Sequence, residues 1–502
     1  MGGGGHREEG WRVLCRVNVP HGPDGEAVLP AEVWAATPEA AQGLIVALVA
    51  GLAEVAALRD EVRELQTQVR QHSGTSSRPP SSDRPGAPRR PAAPPSGRGR
   101  GGQPGHVAHQ RGVVPPERVD RIVDHRPPTC GQCAAALPGD APSAGFVAHQ
   151  VTDLPPVRAV VTEHRRHRVT CPACGTATRA ALPADVPTGA FGPRLQATVA
   201  VLHGQYHLSQ RQVADVCGTL LDAPLVAGSV AGLCRDTAVA LEGPVAAVGA
   251  TLPAAPAVNA DETRWPHARR TAWLWVVVTE LATVFTIATS RGSRVIKALL
   301  GDDYAGVVGS DRYSGYAWLD DTCRQLCWAH LKRDLRALVD RGGTAKAVGT
   351  AALALVHDLF AVWHQFRAGH LDRAGLSAQM QPVQDAFDTL LEDGLAGPDP
   401  RAATLCRSLD RLWPALWTFV DAAGVEPTNN AAERALRPAV LWRKGSYGTQ
   451  SEGGARFAER LLTVSATCRQ HGRSVLDYLT DACTAVQRGL PAPALLPTPT
   501  AA

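Results

Sequence analysis

The segment Ala257-Val258-Asn259-Ala260-Asp261 is a short, apolar, strand-like run that ends in a carboxylate. Two runs rich in β-branched and aromatic residues follow it, at 273–279 and 283–289. The three residues between these runs predict a hairpin. This part of the chain therefore predicts three consecutive strands, the first of which carries an acid.

A helix and a second acid come next. Residues 294–300 have helical spacing, and a fourth strand-like run, 304–309, leads to Asp311. A further strand and helix are predicted within 324–338. Three strands, a helix and a strand ending in an acid is the order of a ribonuclease-H-like (retroviral-integrase-like) sheet. Because the first and fourth strands of that sheet lie side by side at its centre, Asp261 and Asp311 are expected to be neighbours.

A third acid, Glu433, lies in Pro427-Thr-Asn-Asn-Ala-Ala-Glu-Arg-Ala-Leu-Arg-Pro438, which has the chemistry of a helix start. Asn430 precedes it by the spacing of a capping box, so one interpretation has Glu433 satisfy a backbone N–H at the cap. In the other, Glu433 joins Asp261 and Asp311, and the three carboxylates hold two Mg²⁺ or Mn²⁺ ions. Spacing leaves the choice open, because other acids are nearby. They are Glu262, Asp302, Asp303, Asp320 and Glu426.

Two cysteine pairs, Cys130-Gly-Gln-Cys133 and Cys171-Pro-Ala-Cys174, predict a structural zinc ribbon in which four thiolates hold Zn²⁺. The 37 residues between the pairs exceed the usual ribbon spacing, so free thiols remain the alternative. Alternating apolar and basic residues at 160–169 predict a strand with one solvated face. The other cysteines are scattered singly, which is typical of a protein in a reducing cytosol.

Length and charge bound the remaining possibilities. A chain of 502 residues predicts about two to four domains. Its net charge is +4, but residues 78–111 hold seven arginines and one acid in a Pro- and Gly-rich segment. That composition predicts a disordered linker, either merely solvated or following a nucleic-acid backbone. The apolar run 41–53 is shorter than the roughly 20 residues of a membrane span, and acids precede it, so neither a span nor a signal peptide is predicted.

Helical patterns flank the cysteine pairs. Apolar residues in three- and four-residue steps from Leu48 to Val69 predict a coiled-coil-like helix and hence self-association. A single amphipathic helix docked on the body is the alternative. Residues 191–242 also have helical patterns, with Ser209 and Ser229 as predicted caps. Two short helices there resemble a helix-turn-helix, although a plain helical layer explains the same pattern.

Several motifs occur together and in order, and their combination resembles the insertion-sequence-66 family (TnpC-type) of bacterial DDE transposases over about residues 45–482. Residues 1–40 match nothing in the family pattern, and Ala134 stands where a glycine often follows the first cysteine pair. The motifs are Gly101-Gly-Gln-Pro-Gly-His106, the two cysteine pairs, Asp261-Glu-Thr263, Ser310-Asp-Arg-Tyr-Ser-Gly-Tyr316, Cys327-Trp-Ala-His-Leu-Lys-Arg333 and 427–438.

The resemblance implies that Asp261, Asp311 and Glu433 are the metal-binding catalytic acids of a ribonuclease-H-like core. It also implies that a mostly helical segment, about 339–425, is inserted before the last acid. Cys327 and His330 match a Cys-x-x-His element of several DDE transposase groups, with core packing as the alternative role. Basic residues after Glu433 are predicted to contact DNA phosphates beside the site, with a surface pair between Arg437 and Glu433, one helical turn apart, as the alternative. They are Arg434, Arg437, Arg443 and Lys444.

The function implied is a transposase that cuts the ends of its own mobile element and joins the 3′-hydroxyl to target DNA. The alternatives are a catalytically silent zinc-containing DNA-binding protein and a nuclease on the same fold. The expected partners are element ends, target DNA, further copies of the chain and helper proteins of the same element. The expected location is the cytoplasm, at the nucleoid, with Mg²⁺ or Mn²⁺ and a structural Zn²⁺ as cofactors.

The predicted fold is a multidomain α+β arrangement. The predicted segments are an unassigned and disordered 1–38, a coiled-coil-like helix at 39–72, a Pro/Arg-rich linker at 73–110, a zinc-ribbon-like domain at 111–186, a helical domain at 187–250 with DNA binding as the alternative role, a catalytic core at 251–482 and a tail at 483–502.

Overall fold

The computed structural model describes residues 20, 27–70, 112–187 and 189–497. The predicted linker, residues 73–110, lies outside the described residues. The chain divides into two compact units, Met1–Pro94 and Pro95–Ala502.

The first unit contains two helices, α1 (Ala31–Ala36) and α2 (Glu39–Arg70). The prediction of disorder for 1–38 is wrong for α1, whose Trp34 is buried. The predicted long helix is present as α2, and its apolar side chains, such as Leu48 and Leu52, are exposed within this unit. By length and composition, Glu39–Arg63 is apolar enough to cross a membrane, although the uninterrupted apolar run counted in the sequence is shorter.

In the second unit, the cysteine-rich region contains one short two-stranded sheet, formed by β1 (Arg168–Thr170) and β2 (Ala177–Arg179). The strand predicted at 160–169 is therefore wrong before Arg168. Residues 160–167 pair with no other strand, and Val160 and Val161 are almost fully exposed. An alternating sequence becomes a strand when a partner strand and a buried face are available, and neither is present here.

Four helices come next: α3 (Pro193–Ala200), α4 (Gln210–Leu221), α5 (Ala227–Ala240) and α6 (Glu242–Gly249). Ser209 caps α4 as predicted, in a reciprocal capping box with Gln212. The predicted cap at Ser229 is wrong, because α5 begins two residues earlier with Val226 at its N-cap position. Val230 and Leu233 on α5 join the large core under the sheet.

The central sheet has five strands: β3 (Ala257–His267), β4 (Arg270–Val278), β5 (Thr283–Ala288), β6 (Val307–Ser310) and β7 (Arg324–Leu326). Their order across the sheet is β5-β4-β3-β6-β7. β3, β4 and β5 pair antiparallel, whereas β6 is parallel to both β3 and β7. Helix α7 (Ser293–Leu300) crosses from β5 to β6. The first and fourth strands of this sheet are thus neighbours at its centre, as predicted.

One detail of β3 differs from the prediction. The strand does not end at Asp261 but continues to His267, because β4 is long enough to pair with it along that whole length. A two-residue turn follows, in which Ala268 and Arg269 both have positive φ (47° and 63°). Such a turn matches the right-handed twist of the paired strands, although glycine and asparagine adopt it more readily. Asp261 therefore lies in mid-strand.

The rest of the unit is helical. A second core forms around Trp328, which begins α8, and around Phe387 and Trp417 in the segment predicted as an insertion at about 339–425. The helix α9 (Gly343–Arg367) in this segment is long and apolar enough to cross a membrane, yet it packs against its neighbours and buries five side chains. The helices are α8 (Trp328–Arg341), α9 (Gly343–Arg367), α10 (Arg373–Ala396), α11 (Pro400–Arg411), α12 (Trp413–Asp421), α13 (Asn430–Ser446), α14 (Glu452–Gln470) and α15 (Val475–Gln487).

Helix α14 covers the open edge of β5. Three side chains at four-residue spacing on α14, Glu459, Thr463 and Thr467, accept the backbone N–H groups of Ile287 (2.6 Å), Phe285 (3.0 Å) and Thr283 (3.2 Å). These N–H groups alternate along β5 and would otherwise face outward. The helix thus supplies the acceptors that a sixth strand would have supplied.

The C-terminal segment also departs from prediction. The Pro/Ala composition from Pro491 onward predicts disorder within the tail at 483–502, yet the described part of it packs on α15 and the residues just before it. Tyr478 donates its hydroxyl to the carbonyl of Pro493 (2.9 Å), and Arg473 donates to the carbonyl of Leu495 (2.6 Å). The side chain of Leu495 is buried in the large core. An apolar Leu-Leu pair within the Pro/Ala run supplies this anchor.

Candidate active site

Asp261 and Asp311 come together through the pairing of β3 with β6. Asn259 and Gly309 are direct partners in this parallel pair, and each acid lies two residues further along its strand direction. Side chains two residues apart on a strand share a face, and neighbouring strands are about 4.8 Å apart. The two acids are therefore level with each other on the same face. The side chain of Asp311 also accepts the N–H of Tyr313 (2.9 Å), which fixes its orientation.

Glu433 approaches the same place from the first turn of α13. Its charge reaches Asp261, whose pKa is raised to about 8 by burial, by the charge of Glu262 and by the charges of Asp311 and Glu433, against one opposing hydrogen bond from the N–H of Glu262. A buried group of like charges is unfavourable unless a cation or a proton is added. The site therefore has the electrostatics of a cation-binding site.

Asn429 fixes the start of α13 against the sheet. Its side-chain amide donates to the carbonyl of Ala260 (2.8 Å), the residue that precedes Asp261, and its backbone N–H donates to Sγ of Cys327 (3.1 Å). Cys327 in turn donates its own N–H to the carbonyl of Ser310 (2.8 Å), the residue that precedes Asp311. One chain of hydrogen bonds therefore ties together the backbone next to all three acids. We call Asn429 and Cys327 the backbone clamp.

The capping-box interpretation of Glu433 is wrong. The N-cap residue of α13 is Asn429 and not Asn430, and no side chain caps the helix. The side chain of Glu433 instead lies beside His330, with 3.5 Å between Oε1 and Nδ1. Because the cap position is used to attach the helix to β3, the carboxylate one turn later is free to face the site.

The competing acids have other partners. Glu262 is buried, binds Arg291 (2.9 Å) and accepts the hydroxyl of Tyr316 (3.0 Å). The Arg291 guanidinium is stacked between the rings of Trp273 and Tyr313, so this pair supports the loop after Asp311. The remaining acids lie at the surface or in local contacts: Asp302 pairs with Lys297, Asp320 accepts the N–H of Thr322, Glu426 pairs with Arg367, and Asp303 is exposed.

His330, Asn429 and Arg291 are residues that spacing did not place at the site. His330 lies on the first turn of α8, three residues after Cys327, and its pKa is lowered by burial and by the charge of Arg333, against the raising effect of Glu433. The Cys-x-x-His spacing signalled the pair but not its neighbour. Nothing in the sequence signals the reach of Asn429 to Ala260, since the two residues are 169 positions apart.

The four basic residues after Glu433 divide into two groups. Arg434, Arg437 and Lys444 are exposed along α13. Arg443 is half-buried and donates to the hydroxyl of Thr263 (3.0 Å) and to the carbonyl of Arg264, so part of its task is to hold α13 against β3. A cationic surface thus extends from the site along α13, in keeping with contact to a phosphate backbone.

The two cysteine pairs form the same turn twice. Cys130 donates its N–H to the carbonyl five residues on, at Ala135 (2.8 Å), and Cys171 does the same to Thr176 (2.9 Å). The left-handed residue of the turn is Ala134 in the first copy (φ 57°) and Gly175 in the second (φ 72°). Repeated Cys-x-x-Cys turns of this kind fit a Zn²⁺ site of four thiolates. In this structure the four sulfur atoms do not all lie within 4.8 Å of one another.

Comparisons with known proteins identify this combination of regions. A model described as the Transposase IS66 family matches residues 188–457, and one described as the zinc-finger binding domain of transposase IS66 matches 127–175, which spans both cysteine turns. A family of unknown function matches 28–112.

Two curated relatives come from Sinorhizobium fredii. Uncharacterized protein y4hP is 26% identical over 406 residues, which is 72% of this chain and 71% of the relative. Uncharacterized protein y4qI is 26% identical over 264 residues, which is 47% of this chain and 48% of the relative.

Proposed function

The chain belongs to the IS66 transposase family, and we propose that it cuts the ends of its own insertion sequence and joins each freed 3′-hydroxyl to target DNA. The proposed catalytic residues are Asp261, Asp311 and Glu433. The observation that carries the proposal is that Asp261 on β3 is buried and feels the charges of Glu262, of Asp311 just after β6 and of Glu433 on α13, all of which raise its pKa.

The donor set suits the metal that this chemistry requires. Asp261, Asp311 and Glu433 supply hard oxygen ligands, which Mg²⁺ and Mn²⁺ prefer. When bound, a pair of such ions activates an attacking oxygen and stabilises the leaving oxygen in an in-line displacement at phosphorus. The raised pKa of Asp261 supports this assignment, because a divalent cation would relieve the repulsion among the carboxylates.

The protein contributes position and charge. Asp261 and Asp311 are held on neighbouring strands, and the backbone clamp fixes Glu433 relative to them. The exposed side chains of Arg434, Arg437 and Lys444 would hold the DNA backbone beside the carboxylates, with the half-buried Arg443 bracing the helix. Phosphate contacts of this kind set the register of the DNA without reading its sequence.

We further propose that the sheet is ribonuclease-H-like, with 339–425 as a helical insertion. The strand order β5-β4-β3-β6-β7 and the location of the acids on β3 and just after β6 support this interpretation. The cysteine turns would hold a structural Zn²⁺ through Cys130, Cys133, Cys171 and Cys174. The exposed apolar side chains of α2 support coiled-coil self-association, and helper proteins and a nucleoid location follow from the family.

The test is a cleavage and joining assay on labelled DNA that carries the element ends, in Mg²⁺. Asp261→Asn, Asp311→Asn and Glu433→Gln should each lower cleavage on the order of 1,000-fold or more while DNA binding is retained, since each removes one carboxylate from the metal-binding set. Asp303→Asn, which changes an exposed acid, is the matched control and should cut normally.

The outcomes separate the alternatives. Normal cutting by Glu433→Gln would remove that residue from the site. Cleavage without any joining would favour a nuclease, and wild-type protein that binds ends but never nicks them in Mg²⁺ or Mn²⁺ would favour a silent DNA-binding protein.

A further inference from the structure

A second set of metal-binding side chains lies beside the three acids. Cys327 ends the loop after β7, His330 is on the first turn of α8 and Glu433 is on the first turn of α13. Their ligand atoms all lie within 4.8 Å of one another. The set therefore joins a thiol, an imidazole and a carboxylate from two helix starts, and it shares Glu433 with the proposed catalytic acids.

The spacing within the set is close to that of a tetrahedral site. With metal–ligand bonds of about 2.0–2.3 Å, ligand atoms of a tetrahedral Zn²⁺ lie roughly 3.3–3.7 Å apart. Nδ1 of His330 and Oε1 of Glu433 are 3.5 Å apart. The Glu433 side chain is about one-third exposed, so it has room to rotate toward Cys327.

Two hydrogen-bonding observations point to a ligand at this place. Nδ1 of His330 is buried and has no hydrogen-bond partner among the described residues, an unusual state for a buried ring nitrogen. Sγ of Cys327 accepts the N–H of Asn429 at 3.1 Å, so a hydrogen-bond donor is aimed at the sulfur at this place. A metal ion at this point would give Nδ1 of His330 a partner and would also bind Sγ of Cys327.

The chemistry of the set selects the metal. Thiolate and imidazole ligands favour Zn²⁺ and disfavour Mg²⁺, which requires oxygen ligands in an octahedral arrangement. Three protein ligands leave a fourth position open. Loading would release the thiol proton of Cys327, so binding would be weaker at low pH.

We propose that Cys327, His330 and Glu433 form a Zn²⁺ site that withdraws Glu433 from Asp261 and Asp311 and so inhibits cleavage. The inhibition rests on the proposed function, whereas the Zn²⁺ binding does not. A Glu433 side chain that is turned toward Cys327 and His330 to bind Zn²⁺ is turned away from Asp261 and Asp311, so it no longer completes the set of ligands for the Mg²⁺ pair.

Binding is tested first, in full-length Asp261→Asn/Asp311→Asn protein, which keeps the proposed set and removes the competing acids. In this background we compare Cys327→Ser, His330→Gln and Glu433→Gln with the controls Cys323→Ser and His364→Gln. The probes are Zn²⁺ by equilibrium dialysis and Co²⁺ by its thiolate charge-transfer absorption. The two cysteine turns are unchanged in every variant and should bind the same amount of metal. A difference in bound metal per chain between variants therefore reports on the proposed site.

We expect the parent and both controls to bind one more Zn²⁺ per chain than Cys327→Ser or His330→Gln, with affinity falling on the order of 10–100-fold in Glu433→Gln. The Co²⁺ absorption of one thiolate should disappear in Cys327→Ser. If the buried Cys327→Ser does not fold, the half-exposed His330→Gln decides. If the parent and His330→Gln bind the same number of Zn²⁺ ions per chain with the same affinity, the proposed site is wrong.

Inhibition is tested in wild-type protein at fixed Mg²⁺. Zn²⁺ at the concentration that loads the site should slow element-end cleavage at least on the order of 10-fold, and an unchanged rate in loaded protein would overturn the inhibitory role. If wild-type protein cuts no element ends without Zn²⁺, the proposed function fails while the binding result stands.

Discussion

The cysteine region, residues 112–187, and the sheet that carries Asp261 both present side chains that we propose to bind metal ions, but they differ in what surrounds them. In the cysteine region, Phe146 is 91% exposed and Val160 is 94% exposed. In the sheet, Trp265, Trp275 and Leu274 are fully buried around the strands that carry the acids. One region has almost no apolar core of its own, and the other is built on the largest core of the chain.

The difference shows two relations between a metal and a fold. A region that buries little apolar surface gains little from the hydrophobic effect, so metal binding itself must supply much of its folding free energy. The sheet holds its acids by packing and by the backbone clamp before any ion binds. Its carboxylates are arranged at an electrostatic cost that a cation then relieves.

Zinc removal should therefore give the largest effect: it should unfold the cysteine region and leave the sheet folded. A chelator, or Cys133→Ser, should make 112–187 exchange amide hydrogens rapidly and become sensitive to protease, because structural Zn²⁺ contributes on the order of 10 kcal/mol to such folds. The sheet should keep its exchange protection. Protection of 112–187 that survives complete metal removal would contradict the comparison. Cys323→Ser is the control.

The pH dependence of the unfolding free energy in metal-free protein tests the electrostatic cost of holding Asp261 buried near other carboxylates. Asp261 has a pKa of about 8 in the folded chain against an ordinary value of 3.8, so between these values the folded state holds a proton that the unfolded state has lost. Stability must then fall as pH rises, by up to about 1.4 kcal/mol per pH unit.

The Asp261→Asn variant isolates this contribution from that of other acids. The variant's unfolding free energy, measured in denaturant from pH 5 to 8, should gain steadily on that of the wild type as pH rises. Mg²⁺ should reduce the gap by stabilising the wild type. If the unfolding free energies of the two proteins change in parallel with pH, the folded state does not disfavour the charged form of Asp261.

The backbone clamp is tested by Asn429→Ala. The change leaves the carbonyl of Ala260 without its buried donor, which costs about 1–3 kcal/mol, and lets Glu433 move relative to Asp261. Because a displacement of about 1 Å can cost on the order of 100-fold in rate, cleavage should fall 10–100-fold and require more Mg²⁺. Asn430→Ala is the matched control, and equal losses in both variants would argue against the clamp.

The covered edge of the sheet is tested by Thr463→Val. The variant keeps the shape of the side chain but leaves the N–H of Phe285 without an acceptor, at a cost of about 1–3 kcal/mol. Thr480→Val is the control, because the Thr480 hydroxyl donates to a carbonyl of its own helix. Equal unfolding free energies for the two variants would show that α14 does not complete the sheet.

The smallest expected effect lies in the two cysteine turns. Ala134 holds a left-handed conformation that Gly175 holds in the other turn, so Ala134→Gly should stabilise the zinc-loaded region by about 0.5–1 kcal/mol and Gly175→Ala should destabilise it by a similar amount. Hydrogen exchange of the zinc-loaded protein measures both. Changes of the same sign would show that the two turns are not equivalent.

The sequence predicted the sheet elements well because their patterns are local. β-branched and aromatic runs predicted β4 and β5, and Ser209 predicted the start of α4. Predictions failed where a pattern needed a distant partner. Residues 160–167 alternate like a strand but have no strand to pair with, and Leu495 lies in a Pro/Ala run but fits a pocket in the core.

For the candidate site, the sequence supplied the three acids, the cysteine pairs and the Cys-x-x-His element as chemical types in order. It could not separate Asp261 from Glu262, since the two are adjacent and equally acidic. The strand register places Asp261 level with Asp311, whereas Glu262 faces the other side of the sheet and binds Arg291 and the hydroxyl of Tyr316.

The sequence by itself thus determined which candidate metal ligands this protein carries and which elements bear them, because residue type and spacing along one strand or turn are local properties. The tertiary structure decided which of those ligands meet. The hydrogen bonds from Asn429 to Ala260 and Cys327, and from Cys327 to Ser310, join segments far apart in the chain. Such contacts depend on how the sheet and helices pack, and no local pattern encodes them.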